Sequence, residues 1–215
     1  MNRLGRYLHK VWWRFLFETA ESRDVHGIKV SVANNGAHAT TEEVFAAAER
    51  ALGLIARYQP LVLLRLQRDL SRIWIFRYAV NRGLYDPRTR TCITDTSFVV
   101  GFPPEIVAST LVHEATHARI RKLVRRWPKD GAEKEERICR KAELRLARAL
   151  PNGAVVKERV VPMLTSPDVQ LSVDVDWHAA SDRANRIRLR EAPGPGWLKQ
   201  FVAWATDWGS LNQKD

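Results

Sequence analysis

Apolar and polar residues alternate through HGIKVSVAN (residues 26–34), with Ile28, Val30 and Val32 on one side, and NNG closes the run. A period of two predicts a short strand. The period then lengthens. Thr40 followed three residues later by Glu43 is a capping box, and EEVFAAAERALGLIARYQ behind it predicts a helix up to Pro60. SRIWIF (71–76), RGLYDPRT (82–89) and TRTCITDT (89–96) read as strands joined by turns at NRG and DP. A small antiparallel sheet ahead of a long helix is the simplest arrangement of these pieces.

Pro103 and Pro104 then open a helix through LVHEATHAR (111–119), where proline costs no needed donor. It is expected to end near Trp127, before Pro128. AEKEERICRKAELRLARAL predicts a second helix from about Ala132 to Leu150, stopped by PNG. Beyond it, VVKERVVPMLTSPDVQLSVDVDWHAASDRANRIRLR mixes strand-like valine alternation with Pro162 and Pro167, and APGPG marks a loop. Trp197, Phe201, Trp204 and Trp208 form one aromatic helical face near the end of the chain, more often packing than a ligand box.

The first of the two helices carries candidate chemistry. HEATH fits HExxH at His113, Glu114 and His117. One turn apart on a helix, both imidazoles can reach a single Zn²⁺. Glu114 falls about 60° round from His117 at 100° per residue, so it can approach a water activated by the metal, the position of a general base. Ile106, Thr110, His113, His117, Ile120 and Val124 share one stripe, so the histidines are expected to be partly buried and to need partners.

A catalytic zinc takes three protein ligands and keeps an open position. Glu135, Glu136 and Glu143 on the next helix compete for the third place. Eighteen residues separate His117 from Glu136, and the resulting HExxH-x18-E resembles the gluzincin metallopeptidases. EERICRKAELRLARALP is also similar to the downstream helix of a small bacterial zincin-like group with a HEATHAR-type motif. The resemblance covers residues 103–151, about a quarter of the chain. It implies a zincin-like fold, a Zn²⁺ cofactor and Glu136 as third ligand.

Helical rotation argues differently, centring the apolar face on Ile138, Cys139, Ala142, Leu146 and Ala149 and placing Glu135 inside it. Burial favours Glu135 and spacing favours Glu136; spacing is preferred here. Where some gluzincins carry an acidic residue four beyond the glutamate, this chain has Arg140, so the histidines need another carboxylate: Glu143, Asp174 or Asp176. His178 and Tyr85 are candidate donors to a tetrahedral intermediate, although a surface or satisfied core histidine explains His178 more simply.

Composition narrows the setting. The 215 residues suit one domain, residues 25–215, after a basic aromatic arm or helix, residues 1–24. With 45% hydrophobic and 27% charged residues, a disordered or low-complexity chain is excluded. Cys92 and Cys139 form no CxxC and fit a reducing compartment, hence a cytoplasmic protein. The net charge of +11 predicts attraction to an anionic partner, nucleic acid or membrane surface, and a solvated basic surface accounts for it equally well.

Trp12, Trp13, Phe15, Leu16 and Phe17 beside Arg3, Arg6, Lys10 and Arg14 read as a helix packed on the core, or as one lying on the inner membrane surface. From Arg119 to Arg148 there are twelve Lys or Arg against five acids, with little aromatic interleaving beyond Trp127. A solvated face explains this better than a nucleic-acid track. Together these observations predict an α+β, zincin-like fold in which a small antiparallel sheet packs on the motif helix and a ligand-donating helix follows. They predict zinc-dependent hydrolysis of a peptide or protein substrate, with a non-catalytic zincin-like protein binding an anionic partner as the competing reading.

Overall fold

The computed structural model describes residues 20–33, 39–76, 83–124 and 131–165. A hairpin opens it: β1 (Glu21–Val25) and β2 (Ile28–Ala33) are antiparallel across a two-residue turn. His26 and Gly27 both have positive φ in that turn, the conformation that matches the strand twist. Helices α1 (Thr41–Tyr58) and α2 (Pro60–Asp69) follow, then β3 (Arg72–Phe76), β4 (Leu84–Asp86) and β5 (Thr91–Asp95). Short α3 (Thr96–Gly101) leads into α4 (Pro104–Leu123), α5 (Gly131–Ala149) and α6 (Ala154–Thr165). The α+β class holds.

The sheet is mixed, which corrects the antiparallel expectation. Its order is β1-β2-β3-β5-β4, with β2, β3 and β5 mutually parallel and only the outer pairs antiparallel. Connectivity explains this. Helices α1 and α2 form a crossover between β2 and β3, and a crossover delivers the second strand in parallel. The DP turn does fold β4 back on β5, but β3 skips β4 and pairs with β5. The central strands are buried on both faces: Ile73 to Phe76 of β3 and all five residues of β5 are buried, including the polar Thr91, Thr94 and Asp95.

Local sequence accounts for the helices. Thr40 accepts from the Glu43 amide while its own amide donates to Glu43, closing the capping box. Pro60 ends one helix and takes the first position of the next, so α2 begins where the chain was expected to stop being helical. Residues 154–165 are a helix, not a strand: Val156 and Val160, both fully buried, are four apart on one face, and Pro162 falls in the last turn. Glu21–Val25, most of which falls within the residues 1–24 expected to form an arm, belong to the sheet. Its remaining calls, Trp12 to Phe17 and the flanking basic residues, lie outside the described residues, as do residues 166–215. Among the described residues no helix is long and apolar enough to cross a membrane.

α4 is the spine of the molecule. Ten consecutive residues, Ile106 to Ala115, are buried, because α1, α2, α5 and α6 all pack against it and the sheet edge β4 reaches it as well. Asp69 at the end of α2 pins the outer part of α4. Its buried carboxylate is 2.8 Å from Arg68, 3.1 Å from Lys122 and 3.4 Å from Arg119. The hydrogen bond from Arg68 outweighs burial and, with Lys122, holds the Asp69 carboxyl below the usual carboxylate range.

A depressed carboxyl contributes stability that is complete above the unfolded value and lost as pH falls towards the folded one. Asp69→Asn is therefore expected to cost about 2 kcal/mol at pH 7. That gap should narrow progressively once the pH drops below about 4. Urea-unfolding midpoints of the two proteins at pH 7 and pH 3 measure it, and a gap that ignores pH would remove the ionic explanation.

Candidate metal centre

Two helices build the site. α4 projects His113 and His117 from one face, one turn apart, and α5 lies alongside with Glu135, Glu136, Cys139 and Glu143 turned toward them. The buried face of α5 is Glu135, Cys139, Glu143, Leu146 and Ala147, whereas Ile138 is 44% exposed. This corrects the apolar face centred on Ile138. The histidines require polar partners inside the protein, and the helix is rotated to supply them at the expense of one isoleucine.

Each imidazole is held from behind by its own carboxylate. His113 Nδ1 lies 2.8 Å from Glu143 Oε1, and His117 Nδ1 lies 2.7 Å from Glu135 Oε1. An ionised carboxylate only accepts, so both Nδ1 atoms donate to it and both Nε2 atoms point the other way, free to present a lone pair to a metal when the rings are neutral. Those Nε2 atoms are 3.0 Å apart. Glu136 completes the group, with one oxygen 3.0 Å from His117 Nε2 and the other 3.4 Å from His113 Nε2. Three acceptors so close together call for a cation or protons among them.

The electrostatics agree with that arrangement. Burial opposes charge on both imidazoles, yet Glu136 and Glu143 raise His113, and Cys139, Glu135 and Glu136 raise His117 well above the usual histidine value. For Glu136, burial is outweighed by the two histidines, which hold it far below the ordinary carboxylate range. Glu114 moves the other way. Burial raises its pKa, the two histidines pull against that, and the charges of Glu136 and Glu143 reinforce it.

Arginines anchor the carboxylates in turn. Arg121 Nε donates to Glu135 Oε1 at 3.0 Å. Fully buried Glu143 accepts from Arg140 at 2.8 Å, from Ser109 at 3.2 Å and from Arg159 of α6. Arg140, where an acidic residue was missed, thus supports the carboxylate that supports His113. Of the supporting groups expected from sequence, Glu143 is where it was anticipated; Asp174, Asp176 and His178 lie outside the described residues.

Glu135, the rival third ligand, faces the back of His117, and Glu136 faces the Nε2 pair. Tyr85 on β4 pairs with Cys92 and packs on the core, half-buried; burial raises its pKa, and the charges acting on it are those of Arg90, Asp86, Arg121 and Asp69.

Two members of the site escaped sequence reasoning. Cys139 offers a sulfur that lies with imidazole nitrogens of His113 and His117 within 4.8 Å of one another. Burial pushes its thiol up to about 11 against a hydrogen bond shared with His117. Its spacing of i+3 from Glu136 and i+4 from Glu135 was the available signal. Gly83 is the other. A Cβ there would stand 3.0 Å from Glu114 Oε1 and 2.7 Å from Thr110 Cγ2, so only glycine lets the chain entering β4 pass this close to Glu114. Compared with known proteins, the chain matches no family model and no curated sequence.

Proposed function

We propose that the protein is a zincin-like hydrolase that cuts a peptide or other amide bond, with His113, His117 and Glu136 holding Zn²⁺ and Glu114 acting as general base. The meeting of two imidazole Nε2 atoms and the Glu136 carboxylate at 3.0–3.4 Å carries this reading. Ligands bound tetrahedrally at about 2.0–2.1 Å from a shared ion stand about 3.3 Å apart, so the spacing fits zinc. The donor chemistry fits too, since both histidines have their tautomer fixed from behind by carboxylates.

When bound, Zn²⁺ supplies a Lewis acid that polarises a carbonyl and makes water more acidic. The chain supplies the rest. Glu135 and Glu143 keep the histidines oriented, and Glu136 neutralises charge. Glu114 takes the proton of the attacking water; its raised pKa strengthens it as a base and lets it pass the proton on to a leaving amine. Among the described residues β4 is an edge strand, and Gly83, which leads into it, lies beside Glu114; an edge so placed can pair with an extended chain, which favours a peptide as substrate.

The competing reading, a non-catalytic protein that binds nucleic acid or an anionic membrane surface, draws on the same basic helices. Arg121, Arg140 and Arg159 are however engaged with Glu135 and Glu143, and a purely structural site gains nothing from Glu114.

Zinc analysis of the purified full-length protein tests the proposal. About one zinc per chain is expected, with little left in His113→Ala, together with hydrolysis of casein or a mixed peptide library that a chelator stops and zinc restores. Folded protein that holds no stoichiometric zinc would overturn the reading.

A further inference from the structure

The four groups gathered between α4 and α5 exceed what an open catalytic zinc requires. His113, His117 and Glu136 already supply three donors, yet the Cys139 sulfur shares the space, grouped with the two imidazoles within 4.8 Å. It is fully buried, and it lies on the α5 face that also presents Glu135 and Glu143. A buried cysteine in an apolar wall would behave as a small hydrophobe. This one lies with imidazole nitrogens of His113 and His117 and shares a hydrogen bond with His117, the neighbours of a ligand.

We infer that Cys139 is a fourth protein ligand of the metal, giving a His₂-Glu-Cys centre; the inference rests on the metal reading above. A sulfur at about 2.3 Å and a nitrogen at about 2.05 Å from one tetrahedral ion are about 3.6 Å apart. For the sulfur and the two imidazoles, which lie within 4.8 Å of one another, side-chain torsions therefore have about 1 Å to close. On coordination the S–H bond breaks, the sulfur–metal bond forms with the sulfur's electron pair, and the proton passes to buffer.

A thiolate gives the site a preference that imidazole and carboxylate alone lack. It selects Zn²⁺, Co²⁺ or Cd²⁺ over Mg²⁺, Ca²⁺ and Mn²⁺. As a fourth protein donor it would compete for the position that a catalytic zinc keeps open.

Co²⁺ titration of the metal-free full-length protein reads the sulfur directly, without any assay of activity. A thiolate-to-cobalt charge-transfer band in the near ultraviolet is expected, saturating at one equivalent. It should vanish in Cys139→Ser and persist in Cys92→Ser, which controls for the other buried cysteine. Cys139→Ser should still bind cobalt, at least about 10- to 100-fold more weakly, the loss that even an outer partner of a metal causes. Should Cys139→Ser fail to fold, Cys139→Ala and the wild-type spectrum carry the test. Stoichiometric cobalt with visible d–d bands and no charge-transfer band in the wild type would overturn the inference and leave the three-ligand reading intact. Folded wild-type protein that takes up no cobalt would overturn both.

Discussion

Glu114→Gln is expected to keep its zinc and to lose hydrolysis by about 10²- to 10⁴-fold, the contribution of a well-placed general base. The substitution is nearly isosteric, and Glu114 is buried and so close to Gly83 that a Cβ there would stand 3.0 Å from its Oε1. Shape is therefore preserved while the ability to accept a proton is removed. Removing a carboxylate charge close to the metal also slightly weakens its electrostatic support, so zinc affinity should fall by much less than activity does. Parallel measurements of zinc content and of kcat on one peptide substrate check this. A variant with full zinc and wild-type hydrolysis would exclude Glu114 as the base and favour a site without catalysis.

That experiment turns on residues the sequence already displayed. HExxH placed His113, Glu114 and His117 on one helix, and the eighteen-residue spacing pointed to Glu136, which does face the Nε2 pair while Glu135 does not. Less legible was the helix face. Counting apolar residues placed Glu135 inside but put Ile138 there too, because a periodicity argument cannot see that two buried imidazoles draw Glu143 in and turn Ile138 out.

Parallel strands were hidden for a related reason. The DP turn announces a hairpin locally, whereas the pairing of β3 with β2 depends on a crossover tens of residues long and its pairing with β5 on skipping β4. Charged ESRDV gave no alternation to betray an edge strand, and Val155, Val156, Val160 and Val161 looked like β-formers although their spacing suits a helix. Arg159 reaches Glu143 only because that segment is helical. No sequence signal connected them.

Glu143 is where fold and site meet most tightly, and Glu143→Gln should damage both. Its carboxylate is fully buried and receives Arg140, Arg159, Ser109 and His113 at once. Burial raises its proton affinity, but His113 and the two arginines outweigh that and keep it ionised. Neutralising it leaves two guanidinium groups facing an amide inside the protein, an uncompensated charge of the kind that costs about 3 kcal/mol. In the same step His113 exchanges a charged, acceptor-only partner for a neutral amide that no longer enforces its tautomer, so zinc affinity should drop by about 10- to 100-fold.

Glu135→Gln separates the two effects. Glu135 plays the same part for His117, but its single arginine, Arg121, is 56% exposed and can turn to water. Its removal should therefore cost comparable zinc affinity and distinctly less stability. Urea unfolding of the metal-free proteins and zinc competition against a chromophoric chelator measure the two quantities independently. If both variants lost stability in proportion to zinc, the carboxylates would be serving the fold alone; zinc affinity falling alike while stability does not is what orientation of the two histidines requires.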